Sequence, residues 1–240
     1  MRKVLILDFD GVIVDSIDEC FERSFDAYEC LHDGFLVSSY NKNLFYKYRY
    51  LVGPASYFVY LLDALKIMSK LKVQRCTVEQ LFNELLSSET KQQKERRMTF
   101  EDLFFSSREL SRSTDEAMWL AKHKLYQQIV PIISNYCSEK VFVATMKDRD
   151  SAVSLLEHFK IKIPSSNVLG SNFGPNKAAH ISEILKRTQA KPANVTFIDD
   201  NAEHLVQVSD FGLNLAFASW GYGKAKDCVH QKLTNVEILQ

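Results

Sequence analysis

The sequence is defined first by what it lacks. It has no net charge: thirty Lys and Arg balance thirty Asp and Glu over 240 residues, so no overall field favours nucleic acid or an anionic membrane surface. It has no unbroken run of about 18 apolar residues. Its first apolar run is too short for a secretory core and meets its aspartates too early, so neither a span nor a leader is expected and the cytoplasm is the expected compartment. Its cysteines, Cys20, Cys30, Cys76, Cys137 and Cys228, are scattered, odd in number and without close pair spacing. That excludes a disulfide scaffold and a cysteine zinc site, leaving five reduced, non-catalytic thiols as the expectation. From about residue 29 to Leu120 glycines are few and short parallel-strand runs are missing.

What remains is an ordinary globular composition, 46% hydrophobic and 25% charged, in a chain long enough for one large domain or a core with a second unit. The stretch 3-KVLILDFDGVIVDS-16 stands out. Val4, Leu5, Ile6 and Leu7 read as a strand buried on both faces of a parallel sheet. Asp8 and Asp10 follow at its end, with Gly11 behind. Two ionised carboxylates so close repel and are costly to desolvate, so the pair makes sense where a cation, a phosphate-directed reaction or open solvent compensates it. The carboxyl ends of strands in open α/β sheets are where such groups are used.

Further along, Ser16 to Tyr28 reads as a helix with Ile17, Cys20, Phe21, Ser24 and Phe25 on one stripe. Asp15 reads as a residue at the helix start and Ser16 as its cap. Helical recurrence returns in 57–68 and 78–88, and the polar stretch 89-ETKQQKERR-97 reads as a solvated helix or linker rather than a polyanion contact. Tyr40, Phe45, Tyr46, Tyr48 and Tyr50 read as packing or interface aromatics, with a pocket mouth as the lesser alternative. The segment 115-DEAMWLAKHKLYQQIVPII-133 suggests one long helix that Pro131 ends or bends. After it strands and helices alternate: a strand in 140–150, a helix over Ser151 to Phe159 with Val153, Leu156 and Phe159 inward, a helix over Lys177 to Thr188, and strands at 194–200 and 211–217. This alternation predicts an α/β fold, a doubly wound three-layer Rossmann-like core with a parallel sheet. The core is expected from residues 1–15 and 121–240, with a helical insertion over 16–120.

Polar residues gather at the predicted element ends. Thr145 follows Val141, Phe142, Val143 and Ala144, where its hydroxyl suits an anionic oxygen. Lys177 stands at a helix start, where the dipole gives a cation nothing, so neutralising carboxylates or a phosphoryl group explains it better than surface decoration. Asp199 and Asp200 repeat the opening logic and Glu203 follows a turn later. With Asp8 they offer oxygen ligands suited to a hard divalent ion such as Mg²⁺.

The segments 8-DFDGVIVDS-16, 142-FVAT-145, Lys177 in 174-GPNK-177 and 197-FIDD-200 resemble, in order, the four motifs of the haloacid dehalogenase superfamily. The helical insertion resembles that superfamily's first-type cap, and 220-WGYG-223 is similar to a segment of its phosphoglycolate phosphatase branch. The resemblance implies an Mg²⁺-dependent phosphatase in which Asp8 attacks phosphorus and Asp10 protonates the leaving alcohol and then activates water. Thr145 and Lys177 would hold the phosphoryl oxygens. The metal would be held by Asp8, the Asp10 carbonyl and an acid of the last motif, Asp199 or Asp200. An acid is also usual about four residues further on, a spacing that Glu203 matches and His204 does not. The implied substrate is a small phosphorylated metabolite, phosphoglycolate-like or a sugar phosphate, with no nucleic acid or membrane partner; the aromatic cap surface is a candidate interface. A phosphomutase of the same fold and a non-catalytic regulatory protein are the alternatives.

Overall fold

The computed structural model describes residues 3–31, 39–70, 76–230 and 236–240. The chain divides into two compact units, Met1–Ser16 with Lys124–Gln240, and Ile17–His123. It opens on β1 (Val4–Leu7), every residue of which is buried, and after a tight turn forms the two-residue β2 (Val14–Asp15). Gly11 lies in that turn with φ of 89°, a backbone conformation that side chains disfavour.

Among its described residues the unit Ile17–His123 is built from helices: α1 (Ile17–Leu31), α2 (Ser39–Tyr48), α3 (Phe58–Lys70), α4 (Val78–Ser87), α5 (Lys91–Thr114) and α6 (Glu116–Leu120). The stripe read from α1 holds, since Cys20, Phe21, Ser24 and Phe25 are buried. Thr77 and Thr90 each form a capping box with the glutamine three residues on, and these reciprocal bonds start α4 and α5. The polar stretch 89–97 thus becomes the cap and first turns of a 24-residue helix. Its two arginines are engaged within the unit: Arg96 pairs with Asp63 at 2.7 Å and Arg97 with Glu89 at 2.7 Å. The aromatics pack the core, with Phe45 stacked on Phe58 at 5.1 Å and Phe58 on Phe104 at 5.8 Å. Tyr46, Tyr48 and Tyr50 are half-buried, and the Tyr40 side chain lies outside the described residues. Beside this cluster the Arg108 guanidinium meets both oxygens of Glu19, at 2.7 and 2.9 Å, with both residues buried.

The expected long helix over 115–133 is instead broken. After α6 the chain forms β3 (Lys124–Leu125), antiparallel to β2 through Val14–Leu125 and Asp15–Lys124, and then α7 (Ile129–Ser134). Pro131 sits in the first turn of α7, where its missing N–H is not needed, so it neither ends nor bends a helix. The core continues through β4 (Val141–Ala144), α8 (Arg149–His158), β5 (Val168–Leu169), α9 (Lys177–Thr188), β6 (Val195–Asp199), α10 (Ala202–Gln207), β7 (Asn214–Ala218), α11 (Ala225–His230) and β8 (Val236–Leu239). In α8 the buried residues are Ser151, Ala152, Leu155 and Leu156, while Val153 and, just after the helix, Phe159 are only half-buried. The strands form one all-parallel sheet in the order β5-β4-β1-β6-β7-β8. Val4, Ile6, Phe142 and Phe197 cluster on one face with Ile181 and Ile184 of α9 and Leu205 of α10. Leu5, Leu7, Val143 and Ile198 point the other way and are equally buried, so the sheet is covered on both faces.

Glu19 and Arg108 give a test of the helical unit. Removing one partner of a buried bidentate pair leaves the other charge stranded, so Arg108→Ala should cost about 3–5 kcal/mol in denaturant unfolding. Replacing both by Leu and Met should recover most of that loss.

Candidate active site and metal centre

The sheet order dictates the site. β4, β1 and β6 are parallel neighbours in register Leu7–Val143 and Leu7–Ile198, so the residues that follow them emerge side by side. These are Thr145 after β4, Asp8 after β1, and Asp199 with Asp200 at the end of β6. α9 begins directly with Lys177, capped by the Asn176 side chain, and carries the lysine beneath them.

Lys177 is fully buried. Its Nζ lies 2.5 Å from Asp8 Oδ1 and 3.4 Å from Asp199 Oδ2, and it donates to the Ala144 carbonyl at 2.6 Å. Burial opposes its charge, but Asp8 and Asp199 overcome that and hold the ammonium above its usual range. Asp8 Oδ2 makes no hydrogen bond or ion pair among the described residues, so one oxygen of this carboxylate stays open. Thr145 is buried and its Oγ1 accepts the Lys147 backbone N–H at 3.0 Å, leaving the hydroxyl hydrogen to be donated elsewhere. Asp10 accepts the Ser16 hydroxyl at 2.5 Å, and Lys147 Nζ stands 3.3 Å from Asp10 Oδ1. Ser16, read as a helix cap, therefore directs its hydroxyl to Asp10.

Asp199 and Asp200 part ways despite their adjacency. Asp199 turns toward Lys177 and toward His204, whose Nδ1 lies 3.2 and 3.1 Å from its two oxygens. Asp200 Oδ2 instead accepts the backbone N–H groups of Tyr222, at 2.6 Å, and Gly223, at 3.2 Å. A Cβ on Gly11 or Gly221 would overlap the Asp200 carboxylate, so both glycines are required by its position. The segment 220–223 also clasps the turn after β1: Trp220 Nε1 donates to the Val12 carbonyl, and the Tyr222 hydroxyl receives the Ser16 N–H and donates to Asp15. Glu203 is exposed, its N–H taken by the Asn201 side chain.

The sequence alone gives no site role to Lys147 or His204, and Tyr222 enters only as part of 220-WGYG-223. Lys147 lies three residues beyond the end of β4, a charged residue after an apolar strand as Asp8 is after β1. His204 lies one turn beyond Asp200, one residue past the spacing at which the motif resemblance implies an acid.

No protein-family model matches the sequence, and no curated protein does. Solved structures do resemble it. A haloacid dehalogenase-like family hydrolase from Streptococcus pneumoniae is 16% identical with a TM-score of 0.64, over 100% of this chain and 94% of that one. A predicted phosphatase from Clostridium acetobutylicum is 15% identical with a TM-score of 0.64, over 100% and 95%. A predicted phosphoglycolate phosphatase from Haemophilus somnus is 14% identical with a TM-score of 0.62, over 98% and 93%. The chain has the haloacid dehalogenase fold.

That fold class implies a divalent metal ion, and the residues here fit one. One atom each from Asp8, Asp199 and His204 lie within 4.8 Å of one another, an oxygen and nitrogen donor set of the right compass. Burial first, then the Asp199 charge, push the Asp8 carboxyl up to about 6 even with Lys177 in contact. The lysine alone therefore under-compensates this haloacid dehalogenase strand end, and a cation beside the open oxygen would complete it.

The metal-free protein gives the test. A carboxyl raised above its unfolded value favours the protonated fold, so its contribution is full below pH 3.8 and is lost as pH rises through about 6. With a chelator present, stability should decline across that window in urea titrations, and Asp8→Asn should flatten the decline.

Proposed function

We propose that this chain is a divalent-cation-dependent phosphomonoester hydrolase working through an aspartyl phosphate on Asp8. The observation that carries the reading is the Asp8 carboxylate itself: gripped by Lys177 through Oδ1, with Oδ2 open. A carboxylate held in one orientation with one oxygen available is what an in-line attack on phosphorus requires. In the first half-reaction Asp8 bonds to phosphorus as the P–O bond to the leaving alcohol breaks, and Asp10 gives that alcohol its proton. In the second, Asp10 takes a proton from water as the water oxygen bonds to phosphorus and the bond to Asp8 breaks. Lys147 and Ser16 keep the Asp10 carboxyl oriented for both transfers. Lys177 and the Thr145 hydroxyl offset charge on the phosphoryl oxygens.

Asp8, the Asp10 carbonyl and Asp199 or Asp200 would hold the ion, with Mg²⁺ the expectation that the motif resemblance supplies. When bound, it lowers the repulsion between an anionic nucleophile and a phosphate dianion. The substrate class we favour is a small phosphorylated metabolite, in keeping with the phosphoglycolate phosphatase description of the Haemophilus structure. No helix among the described residues is long and apolar enough to cross a membrane, and the cytoplasm is the proposed compartment.

Phosphate release from a panel of phosphorylated metabolites, with and without divalent cations, tests the reading. Asp8→Asn should retain the fold by circular dichroism and release no phosphate. Turnover in that variant, or undiminished turnover after exhaustive chelation, would contradict the proposal.

A further inference from the structure

The donor set at the strand ends contains an imidazole, one residue beyond the acid Glu203 that the motif spacing anticipates. β6 ends at Asp199, the Asn201 N–H donates to Asp199 Oδ1 at 2.9 Å, and the Asn201 side chain caps α10 by accepting the Glu203 N–H at 2.9 Å. This turn sends Glu203 outward to solvent and brings His204, the next residue, back onto Asp199. The arrangement follows from one residue of phase in a short helix, not from a flexible side chain finding a partner.

The contact that His204 makes as an ion pair with Asp199 also has the spacing of two ligands of one ion. Charge-assisted N–H···O bonds cluster at about 2.7–2.9 Å. His204 Nδ1 lies slightly beyond that, nearly equidistant from both Asp199 oxygens at 3.2 and 3.1 Å. Two donors with bonds of about 2.1 Å to one ion stand about 3.0 Å apart at right angles and about 3.4 Å apart in a tetrahedron. Lys177 likewise holds Asp199 at 3.4 Å while gripping Asp8 at 2.5 Å, so Asp199 is the looser of its two partners. Asp8 keeps Oδ2 open on the same side of the chemistry, and His204 Nε2 makes no hydrogen bond among the described residues. Asp8, Asp199 and His204 thus form a compact, largely buried set of two carboxylates and one imidazole.

We propose that His204 is a nitrogen ligand of the metal centre, and that the centre therefore prefers a first-row transition ion such as Mn²⁺ or Co²⁺ over Mg²⁺. Mg²⁺ binds oxygen donors almost exclusively and holds its waters tightly, whereas imidazole favours the later divalent ions. The inference rests on the hydrolase reading only for the location of the ion, since the donor set is a property of the protein without substrate.

The test needs no substrate. In the Mn²⁺-loaded protein, pulsed electron paramagnetic resonance should show ¹⁴N modulation from a coordinated imidazole, and His204→Gln should abolish it. The same variant should bind Mn²⁺ at least about tenfold more weakly, the scale found even for groups that merely orient a ligand. His204→Asp, which restores an oxygen donor, should bind Mn²⁺ without the nitrogen signal and shift the Mn²⁺-to-Mg²⁺ preference toward Mg²⁺. Absence of ¹⁴N modulation in the unmodified protein, or Mg²⁺ displacing Mn²⁺ at equal concentration, overturns the assignment. Nitrogen coupling without phosphate release from any ester supports this inference and counts against the hydrolase reading alone. Mg²⁺-supported phosphate release without nitrogen coupling does the opposite.

Discussion

Lys177 is the contact on which the strand ends depend. Two unit charges 4 Å apart interact by about 4 kcal/mol at an effective dielectric constant of about 20, a large fraction of the roughly 5–15 kcal/mol that keeps a domain folded. Asp8 and Asp199 stand at the ends of adjacent buried strands, so β1 and β6 cannot pair in register without bringing their repulsion along. The ammonium of Lys177 between them, anchored to the Ala144 carbonyl of a third strand, is what makes that pairing tolerable. It also fixes where α9 must begin, which explains a cation at a helix start where the dipole opposes it.

The second constraint is the packing around Asp200. Its carboxylate is received by backbone N–H groups of Tyr222 and Gly223 and closed in by Gly11 and Gly221. Trp220 and Tyr222 then bond to Val12, Asp15 and Ser16, and Ser16 bonds to Asp10. A segment more than 200 residues downstream thereby governs the turn that presents the candidate acid/base. The short motif 220-WGYG-223 is explained by this clasp without reference to any substrate.

Much of this was legible in sequence, for identifiable reasons. β1, β4 and β6 are apolar runs ended abruptly by acids or threonine, and α9 has caps at both ends and a clear stripe, so local pattern and tertiary demand agree. The segment 115–133 failed because its apolar spacing suits a helix while pairing with Val14 requires two extended residues at Lys124–Leu125. Such a two-residue strand carries no period of its own. β5, also two residues long, was missed for the same cause. At the site, residues within motifs could be read directly, whereas His204 and Lys147 acquire meaning only from the turn that aims each of them.

The two units bury charge in opposite ways, and that contrast separates architecture from chemistry. In Ile17–His123 three buried or half-buried acids meet a guanidinium at close range: Glu19 with Arg108, Asp63 with Arg96, Glu89 with Arg97. Arg97 first, and the Tyr60 hydroxyl after it, hold Glu89 below its usual carboxylate range, as expected of a satisfied acid. At the strand ends Asp8 touches a fully buried lysine at 2.5 Å and is still pushed up to about 6. Matched pairs of the first kind can be exchanged for apolar residues with little loss. The second kind is only partly relieved by its neighbours Lys177 and His204. A chain that keeps such an acid poised at a sheet's carboxyl edge carries uncompensated negative charge there, and a bound cation is the species whose charge answers it.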